Sequence, residues 1–230
     1  MSTVAENLSL PTQVVVPAVV QAAPSAEPIT APPTAPLPAS RSVQLPRWPV
    51  HHRFSVAQYH QMIDRNILSE NDRVELIRGE VVEKMVIGKP HNAMVIRLTR
   101  ILGRQVGELA MISVQGPVTF IESEPEPDLC VLQLREDCYE DHKPRPDETY
   151  LIIEVADTTL EYDRSVKQAI YAEAGIAEYW IVNLRDDCVE VYRQPQASRV
   201  YGSMQMVRRG EQIQMVALPA LSIPVADILP

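Results

Sequence analysis

Cysteine is scarce in this chain: three among 230 residues, Cys130, Cys138 and Cys188, with no Cys-x-x-Cys pair and no histidine at metal-ligand spacing. A disulfide framework and a zinc finger are thereby excluded, and the usage suits a reducing compartment. Aromatic residues make up only 5% of the chain, and no stripe of them offers a stacking platform for bases. Positive charge is in deficit, with 21 Lys and Arg against 30 Asp and Glu for a net −9. That balance argues against broad adhesion to nucleic acid or an anionic membrane, while leaving room for a locally basic groove. No run approaches the roughly 20 apolar residues of a membrane span.

The first segment, Met1 to Pro46, has no aromatic residue and no Lys or Arg before Arg41, yet carries nine of the twenty prolines. Ala31-Pro32-Pro33-Thr34-Ala35-Pro36-Leu37-Pro38 has too few large apolar side chains to offset the entropy of ordering its backbone. The reading is a disordered, partly polyproline tail over residues 1–46 and a single folded domain over 47–230. A secretory leader needs a basic start and an unbroken apolar stretch, but Pro17 interrupts the run Val14-Val15-Val16. A transit peptide would be Arg-rich. The expectation is a cytoplasmic protein. About 180 residues bury a sufficient core without a disulfide or metal staple.

Within the domain, Ser55 is an N-cap, and Val56, Tyr59, Met62 and Ile63 follow at helical spacing to about Asn66. Glu75–Glu83 reads as two short strands turning near Gly79. Lys89-Pro90-His91-Asn92 opens a helix to about Leu109, with the apolar stripe Val95, Leu98, Leu102, Val106 and Leu109. At about 100° per residue, Arg97, Arg100 and Arg104 fall on the opposite face. Strands are expected at Ile112–Ile121, Leu129–Leu134 and Tyr150–Ala156. A helix follows from Asp163 to Ala174, stopped by Gly175. Further strands are expected at Glu178–Leu184, Val189–Arg193, Val200–Val207 and Gln212–Val216. This order indicates an α/β (α+β) domain: a mixed central β-sheet flanked by helices, with extra antiparallel hairpins at its two ends.

Chemistry is signalled where charge breaks an apolar strand. Leu151-Ile152-Ile153-Glu154-Val155-Ala156 is apolar on both sides of Glu154, and a carboxylate there is costly unless a cation or hydrogen bonds meet it. Asp128 stands at the entrance to Leu129-Cys130-Val131-Leu132, behind Pro127, which has no N–H for a sheet ladder. Two carboxylates on neighbouring strand ends can share one hard cation, and Mg2+ suits them because it keeps waters for a phosphate to displace. Lys167 adds an ammonium to stabilise charge on phosphate oxygens. Equally, Asp163 and Lys167 make an ordinary surface ion pair at four-residue spacing. Glu124-Pro125-Glu126-Pro127-Asp128 likewise reads as a solvated acidic loop.

In this order the residues resemble the PD-(D/E)XK nuclease constellation. The longer text resembles the Uma-two group, a restriction-endonuclease-like family that was formerly a domain of unknown function. Matching stretches are Arg73-Val74-Glu75-Leu76-Ile77-Arg78-Gly79-Glu80, Glu124–Leu129 and Ile153-Glu154-Val155-Ala156-Asp157. Glu161-Tyr162-Asp163-Arg164 with Val166-Lys167, Tyr171–Ile176, and Glu178-Tyr179-Trp180-Ile181-Val182 continue the match. The resemblance implies a restriction-endonuclease-like core and a metal-dependent phosphodiesterase, with Asp128 and Glu154 as ligands of Mg2+ or Mn2+ and DNA as substrate. One departure stands out: the family pattern has Glu-x-Lys on one strand, whereas Ala156 follows Glu154 here. The lysine role then passes to Lys167. Glu80, favoured over Glu75, would add a carboxylate from the hairpin. His91 and Gln115 would line the site or else make structural hydrogen bonds, and Asp157 would accept from Lys167 or end the strand.

Arg97, Arg100 and Arg104, with Lys84 and Lys89, would either neutralise phosphates or form an ordinary solvated helix face with Glu108 and other partners. No helix-turn-helix signature is present, and nothing marks sequence-specific reading. The leading expectation is an endonuclease hydrolysing DNA phosphodiesters with a metal-activated water. Its rival is a catalytically silent nuclease-fold module that binds nucleic acid or a protein partner. A homodimer would suit cutting of two strands, though no self-complementary patch decides it.

Overall fold

The computed structural model describes residues 51–229. The tail expected at residues 1–46 lies outside them. Helix α1 (Val56–Asp64) starts at a capping box in which Ser55 and Gln58 each bond the other's backbone N–H. The hairpin β1 (Val74–Ile77) and β2 (Glu80–Glu83) turns through Gly79, whose φ of 77° a side chain would strain. After α2 (Lys89–Val106) come β3 (Met111–Val114), β4 (Leu129–Leu132) and β5 (Thr149–Ala156). A crossing helix follows in three parts: α3 (Leu160–Tyr162), a π-helical turn (Asp163–Lys167) and α4 (Gln168–Glu173). Strands β6 (Glu178–Asn183), β7 (Cys188–Gln196) and β8 (Val200–Val207) precede the short pair β9 (Gln212–Gln214) and β10 (Ser222–Pro224) and the last helix, α5 (Val225–Ile228).

β3 to β8 form one six-stranded sheet in chain order. All its neighbours are antiparallel except β5 and β6, which the crossing helix makes parallel. Strand alternation sends Leu129, Val131, Leu151, Ile153, Val155, Trp180 and Val182 to one face, against Val95, Leu98, Leu102 and Val106 of α2 and Ile213, Ile223 and Ile228 near the C-terminus. Cys130, Ile152, Ala156, Tyr179 and Ile181 take the other face, beneath Ile170 and Tyr171 of the crossing helix and beside Ile77, Val118 and Phe120. Each fully buried aliphatic side chain stabilises by about 1.5–3 kcal/mol, so both layers are tied to the sheet. The fold is thus mixed α+β, a mixed sheet between helices with an antiparallel hairpin towards each end. Among the described residues no helix is long and apolar enough to cross a membrane.

Some boundaries differ from the sequence reading, each for a local reason. The strand expected to Ile121 stops at Val114, because Gln115 adopts φ 50° ahead of Gly116-Pro117, and Ile121 is left 95% exposed. Helix α2 ends at Val106, where Gly107 turns the chain, so Leu109 is exposed rather than part of the stripe. The crossing helix starts at Leu160 instead of Asp163. Asp163 is buried inside it and accepts the Thr159 hydroxyl at 2.6 Å.

Candidate active site

The antiparallel register pairs Leu129 with Ile153, so the residue before β4, Asp128, faces Glu154. Their chains are stitched twice: Val155 N donates to Asp128 Oδ2 at 2.9 Å, and Asp128 N donates to Glu154 Oε2 at 3.2 Å. Both side chains are buried. The acidic run leading to Asp128 is not a solvated loop. Glu124 is buried and accepts from His60 Nε2 at 2.7 Å, Thr119 Oγ1 at 2.8 Å and Lys143 Nζ at 2.5 Å, which anchors the segment that presents Asp128.

Lys167 reaches this pair from the π-helical turn. Its Nζ lies 2.8 Å from Glu75 Oε2 and 3.5 Å from Glu154 Oε1. It is therefore a buried partner of two carboxylates rather than half of a surface pair with Asp163. The strand position where a lysine was expected holds Ala156, which packs against Leu160, Ile170 and Tyr171 in the core. Glu75 is fixed by the Glu126 N–H at 3.1 Å. Tyr171, four residues beyond Lys167, donates its hydroxyl to Glu154 Oε1 at 2.6 Å. His91, in the first turn of α2, places Nε2 2.9 Å from Asp128 Oδ2, and its buried Nδ1 has no hydrogen-bond partner among the described residues.

Negative charge outweighs positive here. Burial pushes the Glu154 carboxyl up to about 8, with Lys167 opposing and Asp128 and Asp163 adding to the rise. Burial likewise raises Asp163 to about 6 against the Thr159 hydrogen bond and Lys167, with Asp128 adding to the rise. Burial works against the Lys167 ammonium, but Glu154 and Glu75 outweigh it and hold the pKa above its ordinary value. Burial and Glu154 keep the Tyr171 phenol protonated, so it remains a donor.

Glu75, His91, Asp128, Glu154, Asp163 and Lys167 line a cleft of about 480 Å3 that also reaches Gln115, Glu126, Asp157, Lys84 and Gly88, with Tyr171 buried behind Glu154. Gln115 donates its backbone N–H to the Asp128 carbonyl at 3.0 Å. Asp157 lines the cleft too, but Lys167 pairs with Glu75 and Glu154 rather than with it. Glu80, the favoured hairpin carboxylate, points elsewhere: it lies 3.8 Å from Arg53 and is 45% exposed, and Glu75 on the opposite strand occupies the cleft instead. Arg100 and Arg104 are exposed and Arg97 half-buried on α2, and none of the three lines the cleft. Lys84 lines it but pairs with Glu126. Asp163 and Tyr171 are the residues that sequence reasoning missed. Their signal was the spacing Asp163, Lys167, Tyr171, which lays an acid, a cation and a phenol along one helix face.

The donor set fits a hard divalent cation. Among the described residues no three His, Cys, Asp or Glu side chains form a ready cage. Magnesium, however, is usually held by one or two carboxylates while keeping several waters. Asp128 and Glu154 supply that pair, and the surplus of buried carboxylates is the electrostatic deficit that such an ion would offset.

Residues 56–226 match the family Uma2, described as “Putative restriction endonuclease”. No protein of curated function matches the chain. Among solved structures, a “putative nuclease belonging to DUF820” from Anabaena variabilis aligns with a TM-score of 0.55 at 16% identity, covering 72% of this chain and 94% of that one. At that identity the likeness is one of fold.

Proposed function

The chain belongs to the Uma2 family, and on that premise we propose that it is a magnesium- or manganese-dependent endonuclease that hydrolyses DNA phosphodiester bonds by in-line attack of water. The observation that carries this reading is the meeting of Asp128, Glu154 and Lys167 in one cleft. Asp128 and Glu154 would hold the ion, which when bound would supply Lewis acidity to a phosphate oxygen and lower the pKa of a water.

The protein's own groups do the rest. His91 and the Val155 N–H orient Asp128, while Tyr171 and the Asp128 N–H orient Glu154, so neither carboxylate has to reorganise when charge develops. Glu75 holds Lys167 in place, and the ammonium offers its remaining protons to a phosphate oxygen. The test is incubation of the purified chain with plasmid and linear DNA in either metal. Cleavage is expected that chelation and Asp128→Ala remove. Wild type that cuts no more than Asp128→Ala under both metals would overturn the reading for DNA and favour a silent module.

A further inference from the structure

The helix crossing from β5 to β6 departs from α geometry at one place. Between Asp163 and Lys167 it widens into a π-helical turn, closed by the Gln168 N–H donating to the Asp163 carbonyl. The Tyr179 hydroxyl, from β6, donates to that same carbonyl at 3.3 Å and supports the wider turn. In an α-helix, residues four apart are rotated by about 40° from one another. An i→i+5 turn shifts that offset to the other side. Asp163 and Lys167 are both buried, at 4% and 5% exposure, and both line the cleft.

Lys167 is accounted for by Glu75 and Glu154, but Asp163 is not. Thr159 satisfies its Oδ2, Oδ1 has no hydrogen-bond partner among the described residues, and the residue lines the cleft. A buried carboxylate held by a single hydroxyl is costly. π turns are rare and are frequently found at functional sites. The hydrophobic layers explain neither the acid nor the turn that delivers it.

We propose that Asp163 is a further residue of the cation site, acting on the ion through the ion's water shell, and that the π-helical turn delivers it to the cleft together with Lys167. A role through water agrees with the absence of a three-carboxylate cage among the described residues. The inference rests on the cation-dependent reading above. Its test is calorimetric titration of Mn2+ into the full chain, with metal-free thermal melts, for wild type, Asp163→Asn and Glu154→Ala.

Asp163→Asn is expected to weaken Mn2+ by about tenfold or more, the usual cost of losing a group behind the ligands. Its metal-free melting temperature should stay level or rise, because one of several crowded negative charges is gone. Damage to structure would lower both together, and that outcome overturns the proposal. Unchanged Mn2+ affinity in Asp163→Asn, with binding abolished in Glu154→Ala, overturns it while the cation reading stands. A folded wild type that binds no Mn2+ removes both. Should Asp163→Asn not fold, Asp163→Ser carries the same test, and failure of both to fold assigns Asp163 to structure and ends the proposal.

Discussion

Lys167→Met isolates the charge at the centre of the cleft, since methionine keeps most of the side chain's length and apolar contact. The wild-type ammonium lies 2.8 Å from Glu75 and 3.5 Å from Glu154, with 6% of the side chain exposed. Removing one partner of a buried ion pair costs about 3–5 kcal/mol, because the other charge is stranded. For a domain of this size each kcal/mol moves the melting temperature by about 2–4 °C, so at pH 8 the variant should melt about 6–20 °C below wild type. The deficit should shrink as pH falls. Glu154 and Asp163, raised to about 8 and about 6 by burial first and held down by Lys167, are both protonated at the lower pH and no longer need the ammonium. Circular-dichroism melts in chelator at pH 8 and pH 5.5 read this directly. An equal deficit at the two pH values, or a variant that melts with wild type at pH 8, refutes the reasoning.

The metal-free wild type should lose stability as pH rises. Glu154 and Asp163 have folded-state pKa values of about 8 and about 6, above their ordinary 4.5 and 3.8, through burial first and neighbouring carboxylates after it. Their contribution is therefore full below the ordinary carboxylate range and is lost as pH climbs through the raised values, so melts from pH 5 to pH 8 should decline and Mn2+ should flatten the decline. Tyr171→Phe deletes the 2.6 Å hydrogen bond to Glu154. Urea unfolding should show a loss of about 1.5–3 kcal/mol, as for a buried bond to a charged group. Glu80→Gln should stay within about 0.5 kcal/mol of wild type, as for other surface changes, and leave DNA cleavage intact. Glu75→Gln should lower cleavage by releasing Lys167, and the reverse ranking of these two variants would contradict the placement of the hairpin carboxylate.

The central strands were legible because burial on both faces writes apolar runs such as Leu151–Ala156, and Asp128 and Glu154 stood out as charges beside or within them. The end of β3 was not, because Gln115 takes a positive φ where its N–H bonds the Asp128 carbonyl, a contact thirteen residues away that local preference does not reveal. Glu75 and Glu80 sit on paired strands of one hairpin, and which of them enters the cleft depends on how the hairpin docks, through contacts such as Glu126 N to Glu75. The π-helical turn escaped a reading based on a period of 3.6 residues, so Lys167 was assigned to the site without the Asp163 that accompanies it.

Mn2+ diffused into crystals of the protein, and located by anomalous scattering, tests the central claim most directly. The account predicts one strong peak between the Asp128 and Glu154 carboxylates, with water completing the ion's shell and Lys167 still beside Glu75. No peak there, or an ion bound only at a remote surface carboxylate, would contradict it.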